Sequence, residues 1–223
     1  MLINKQGIAM KSLVLVAAMS LASVNAYAVD IVGLYNTGAS FAAGAQDTNY
    51  ALSSTTTTVD AYGYVTANGS FPLAGNWLAN TATSSWLTPT ANQGDSFDPS
   101  ADGLYTWTTT FDLTGYDAAT ASFNAQFAAD NTAVVYLNGN QIGTSNGFSS
   151  WSTFSATAGN FVAGVNTLSF VVTNQAQGFG NPTGLRVEFL SSNVAAVPEA
   201  DSYSLMLAGL GLLGLVARRK NAA

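Results

Sequence analysis

Through much of the second half of the chain, apolar and polar residues change places at every second position. In GLYTWTTTFDL, Tyr105, Trp107, Thr109 and Phe111 share one side, and in TASFNAQFAAD so do Ala121, Phe123, Ala125 and Phe127. Leu168, Phe170 and Val172 alternate with Thr167, Ser169, Val171 and Thr173, and Leu185, Val187 and Phe189 alternate with Arg186 and Glu188. A strand sends successive side chains to opposite faces, so each run predicts a strand with one buried face. Asn138-Gly139 predicts a type I′ hairpin, because both central positions of that turn need positive φ. Gly159-Asn160 and Gly164 mark further turns. No helical stripe occurs in this part, where Glu, Lys and Arg are nearly absent. Several short strands in residues 29–192 predict an all-β antiparallel sandwich of the jelly-roll kind rather than a parallel sheet.

The pattern is weaker between Gly38 and Asp102, which is rich in Ser, Thr, Ala, Asn and Gly and includes the tract SSTTTT at 53–58. Short strands are expected at Ile31–Tyr35 and Tyr62–Val65, with the rest as long loops carrying Trp77 and Trp86. A flexible segment is the alternative, but the tyrosines and tryptophans argue against full disorder.

The two ends carry a different pattern. Lys5 and Lys11 precede an apolar run, Leu13 to Val24, and Ala26-Tyr27-Ala28 supplies the small residues of a cleavage site. This is the layout of a secretory signal peptide over residues 1–28, complete whether the chain starts at Met1 or Met10, with a Sec translocon and a signal peptidase as its partners. Near the other end, after a linker over 193–202, Tyr203 to Ala217 is uncharged and is followed by a basic tail over 218–223. As a helix of ~1.5 Å per residue the run is short against a ~30 Å hydrocarbon core. Insertion would need a thinned bilayer or snorkelling basic side chains, with the basic end in the cytoplasm. Gly209, Gly211 and Gly214 spell G-x-G-x-x-G, but no βαβ unit surrounds them, so they are better taken as small residues of a membrane helix.

Charge narrows the function classes. Between residues 29 and 197 the chain has nine aspartates and Glu188 against one base, Arg186, a balance that repels phosphate backbones and excludes nucleic acid as a partner. The chain has no Cys and no His. Disulfides, thiolate chemistry, imidazole metal sites and Ser-His-Asp catalysis are therefore excluded. Glycoside hydrolysis needs two positioned carboxyl groups, and no constellation pairs the aspartates. The sequence points to a non-catalytic protein.

Val197-Pro198-Glu199, the span 203–217 and Arg218-Arg219 together resemble the PEP-CTERM sorting signal, with Ala200 where that family usually has a second proline. The resemblance implies recognition by exosortase, an integral-membrane processing enzyme of Gram-negative bacteria that make exopolysaccharide. It further implies transient inner-membrane insertion and then release to the cell surface or matrix. Within residues 103–190, the strand ending in Phe111-Asp112-Leu113, the Asp130-Asn131 strand start, the Leu137-Asn138-Gly139 hairpin and the strand after Gly164 are similar to galactose-binding-like jelly rolls. Such domains occur in PEP-CTERM proteins and as non-catalytic modules of glycoside hydrolases. The likeness implies a fold and leaves the ligand open.

Three sets of residues are candidate binding chemistry. Asp95, Asp98 and Asp102, in a Gly/Pro/Ser loop, offer oxygens to a calcium ion or form a solvated acidic loop. Trp77, Trp86 and Trp151 lie in loop-like surroundings, where they form a carbohydrate platform or anchor loops; Trp107, on a strand, is core. Arg186 needs a carboxylate, with Asp130, Asp112 and Glu188 as candidates; the pair Asp130–Arg186 is the expected structural one. The resulting expectation is a secreted surface or matrix protein. A calcium-assisted carbohydrate-binding module is the alternative, followed by an acid-dependent hydrolase.

Overall fold

The computed structural model describes residues 27–197 and 200–221 of the chain. The signal-peptide reading thus falls almost wholly outside the described residues, as do Pro198 and Glu199. The strands are β1 (Ala28–Val29), β2 (Gln46–Ser54), β3 (Tyr62–Val65), β4 (Leu87–Thr88), β5 (Gly103–Asp112), β6 (Tyr116–Asp130), β7 (Thr132–Leu137), β8 (Asn140–Asn146), β9 (Ser152–Ala156), β10 (Val165–Asn174) and β11 (Gly184–Ala196).

Every pairing among them is antiparallel. They run in the order β8-β7-β10-β5-β2-β3-β4-β11-β6-β9, with β1 added beside β11. The short β3 and β4 turn the sheet back on itself, so the β6–β11 half faces the β5–β10 half across the core. Phe127 of β6 and Phe154 of β9 meet Phe170 of β10, each with ring centroids 5.8 Å apart. Such aromatic pairs add roughly 0.5–1.5 kcal/mol beyond burial alone. The ends of the path, β8 and β9, pack side by side without pairing.

The expected alternation is present in β5, β6 and β10. Tyr105, Trp107, Thr109 and Phe111 are buried, as are Ala121, Phe123, Ala125 and Phe127, and Leu168, Phe170 and Val172. The hairpin forms between β7 and β8, with φ of 52° at Asn138 and 82° at Gly139. Tyr62–Val65 is a strand as predicted, whereas Ile31–Tyr35 is a turn region in which Ile31 alone is buried in the core. The long loops predicted between Gly38 and Asp102 contain a nine-residue strand, β2, that joins the sheet beside β5.

β11 continues to Ala196, beyond residue 192, because past its irregularities it still pairs with Asp117 and Tyr116 of β6 and with β1. The folded unit accordingly spans Ala28–Ala196. The C-terminal helix, α1, covers Ala200–Asn221, since the polar residues flanking the apolar run continue it at both ends. Leu207, Leu212, Leu213 and Leu215 are all exposed. Among the described residues no helix is long and apolar enough to cross a membrane.

Candidate functional site

Alternation predicts that Arg186 and Glu188 of β11 face solvent. Both are buried, as is Ala128 of β6, the partner of Arg186 across the strand pair. The segment between β3 and β4 covers that outer face. Leu73, Trp77 and Trp86 pack with Ala128 as a second apolar cluster separate from the main core. The Trp77 and Trp86 rings are 4.2 Å apart, and the Trp86 indole donates to the Leu78 carbonyl at 2.7 Å. Gly184 is required here: a Cβ at that position would stand 2.7 Å from Trp77 Cη2 and 2.8 Å from the Leu87 carbonyl oxygen.

Arg186 fastens this covering segment. Its Nε donates to Ser84 Oγ at 2.6 Å, its NH2 to Thr81 Oγ1 and Glu188 Oε1 at 3.2 Å each, and its NH1 to the Ala79 carbonyl. Ser84 Oγ donates its own hydrogen bond to Glu188 Oε1 at 2.7 Å, and Gln126 Nε2 donates to Oε2 at 2.9 Å. The guanidinium carbon lies 4.7 Å from the centre of the Trp151 ring. Burial lowers the Arg186 pKa, and the adjacent Glu188 carboxylate opposes that shift. The expected Asp130–Arg186 pair is therefore corrected. Glu188, two residues away on the same strand face, holds the guanidinium, while Asp130 receives the Trp77 indole N–H at 2.8 Å.

Asp130 closes β6 at one end of the sandwich and lines a cavity of about 140 Å³. Trp77, Phe71 and Phe148 give this cavity apolar surface, and Asn76, Asn131, Gln177 and Asn181 give it amides. Asn131 accepts the Gln175 backbone N–H through Oδ1, and Asn181 donates through Nδ2 to the carbonyls of Phe97 and Gln175. Each keeps its other amide atom without a protein partner among the described residues. Asp130 Oδ2 is held by Trp77, but its buried Oδ1 has no partner there. Burial pushes the Asp130 pKa up to about 7, against the opposing effect of the Trp77 hydrogen bond. Phe71 in the lining is 46% exposed, and Phe179, between the lining residues Gln177 and Gly180 in the chain, is 90% exposed.

The other sequence candidates do not converge on this cavity. Trp86 is fully buried and cannot stack on a sugar; of the three tryptophans only Trp77 reaches the cavity wall, and Trp151 is half-buried with the Arg186 guanidinium on its ring. The calcium triad is likewise dispersed. Asp95 accepts from Thr90 and Asn92, Asp98 from Tyr105 and Asn174, and Asp102 from the Ala176 backbone. Among the described residues no three acidic side chains are grouped as metal ligands. In the sorting region Val197 is exposed, and Arg218 and Arg219 are exposed on α1.

Comparison with protein families identifies a PEP-CTERM protein-sorting motif over residues 196–220, which implies export and processing by exosortase. Comparison with curated proteins finds no match. Among solved structures, a β-glucosidase from Kluyveromyces marxianus is similar at 10% identity and a TM-score of 0.30, over 48% of this chain; the chain spans only 13% of that enzyme. A family 35 carbohydrate-binding module from an environmental isolate is similar at 19% identity, TM-score 0.28, over 69% of this chain and 97% of the module. A family 29 carbohydrate-binding module matches at 11% identity, TM-score 0.31, over 74% and 90%. These TM-scores are low, and the all-β assignment rests on the strand pairings themselves.

Proposed function

We propose that this chain is a non-catalytic protein of the cell surface or exopolysaccharide matrix of a Gram-negative bacterium, and that its β-sandwich binds a carbohydrate in the cavity at Asp130. The sorting motif supports that destination. Exosortase would release the chain after transient insertion of α1, whose exposed leucines suit an apolar medium better than water.

The binding reading is carried by the chemistry of the cavity. Sugars present hydroxyls that donate and accept, and C–H faces that stack on aromatic rings. The cavity opposes them with the amide side chains of Asn76, Asn131, Gln177 and Asn181, the carboxyl group of Asp130, and the rings of Trp77, Phe71 and Phe148. Asp130 is the sole carboxyl group among the lining residues, which leaves hydrolysis without the second carboxylate it requires. This cavity favours the carbohydrate-binding role over a purely structural one.

Two measurements test the proposal. Glycan-array binding by the Ala28–Ala196 unit should fall on Phe71→Ala and Phe179→Ala; undiminished binding in both variants would remove the cavity rim from the site. Intact mass of protein from the native surface should show a C-terminus near Pro198 or Glu199. A tail complete to Ala223 would instead indicate a permanent anchor.

A further inference from the structure

The Asp130 carboxyl is 5% exposed, it lines the cavity, and its Oδ1 lacks a protein donor among the described residues. A buried carboxylate without a counter-charge is costly, and a neutral hydroxyl supplies one hydrogen bond while leaving the charge uncompensated. Among the described residues there is no such counter-charge at this place. The lining contains no Lys or Arg, and Arg186, the one base of the sandwich, is closed onto Glu188. The cavity is also small. At about 140 Å³ it is well below the ~300–1,000 Å³ of sites for drug-sized ligands, which limits it to about one sugar ring.

We propose that the cavity is selective for an amino sugar, a terminal hexosamine whose free ammonium group pairs with the Asp130 carboxyl while its ring packs against Trp77. This rests on the carbohydrate reading above and adds the class of sugar to it. Uronic acids are excluded by repulsion, and N-acetylated sugars lose the cation. The groups around Asp130 leave the ligand as its one charge partner. Trp77 donates from the covering segment, Thr183 Oγ1 donates to the Asp130 backbone carbonyl, Gly184 pairs with it across β11, and none of the other lining residues is charged.

Because burial holds the free carboxyl protonated below about pH 7, binding exchanges a proton. Asp130–COOH and R–NH₃⁺ become a carboxylate–ammonium pair, with the carboxyl proton released to solvent and no change in redox state. Affinity for the amine therefore rises with pH up to about 7, by as much as about tenfold per pH unit.

The test is calorimetric or NMR titration of the full chain in mild detergent with glucosamine, glucose, N-acetylglucosamine and glucuronate, at about pH 5.5 and about pH 7. Glucosamine should bind about tenfold tighter than glucose near neutrality, a charge-assisted hydrogen bond against a neutral one. It should weaken on acidification, with a proton released on binding, and glucuronate should not bind. Asp130→Asn should bind glucose and glucosamine equally. Equal binding of the two by the native protein, or an amine preference that survives in Asp130→Asn, overturns the proposal while the carbohydrate reading stands. Binding of none of the four sugars overturns both. Should the variant fail to fold, the pH dependence of the native protein decides.

Discussion

Replacing Arg186 with methionine removes the clamp that holds the 78–84 segment on the sheet. The methionine fills part of the volume under Trp151, but Glu188 remains buried with a charge opposed only by hydrogen bonds from Ser84 and Gln126. Breaking a buried pair by deleting one partner costs about 3–5 kcal/mol, and the Ala79 carbonyl loses a donor as well. At an m-value of about 2 kcal/mol/M, urea unfolding of the Ala28–Ala196 unit should shift its midpoint down by about 2 M. The double variant Arg186→Met, Glu188→Met removes both charges and should recover at least about 1 kcal/mol of the single variant's loss, since apolar replacement of a whole buried pair is often neutral or better. A single variant within about 1 kcal/mol of the native protein would refute the assignment of Arg186 as the fastener.

Asp130 gives a pH dependence of opposite sign to that of a salt-bridged acid. Its folded pKa is raised to about 7 from 3.8; the folded state therefore holds a proton that the unfolded state has lost, and stability falls as pH rises between those values. The loss is at most about 4 kcal/mol, and Asp130→Asn should flatten that slope in urea titrations across the range; an unchanged slope would show that Asp130 is ionised in the fold. Trp151→Ala should lower the melting temperature, because the ring covers Arg186, yet leave glycan binding intact; the reverse result would restore Trp151 to the binding surface. Millimolar calcium should leave the melting temperature unchanged, since Asp95, Asp98 and Asp102 serve different partners; a rise reversed by chelator would show that they gather around an ion.

The strands that were legible in the sequence have unbroken period-two patterns, as in β5 and β10. β2 was hidden because an irregularity against β3, between Gln46 and Ala51, breaks the alternation. Its buried positions are Asp47, Tyr50 and Leu52, spaced three and then two, and the first is a carboxylate satisfied by the Gly38 and Asn49 amides. The covering segment was missed for a related reason. A strand with charges on one face reads as solvent-facing, and only the small Gly184 and Ala128 on that face hint that something packs over it. The cavity could not be assembled from the chain, since its walls come from residues near 71–77, 130–131, 148 and 177–182. Asp130-Asn131 reads as a strand start in the sequence, but its neighbours are set by tertiary packing.

The unpaired meeting of β8 and β9 bears on how the sandwich avoids pairing with its own copies. Exposed strand edges invite pairing with other copies, and proteins commonly defend them with lysines; this sandwich contains none. Here each bare edge stands in front of the other, at a distance set by Gly143, where a Cβ would lie 2.7 Å from Phe154 Cβ. The two edges shield each other by proximity instead of by charge. A bulkier residue at 143 would pry them apart and turn a closed surface into a template for aggregation.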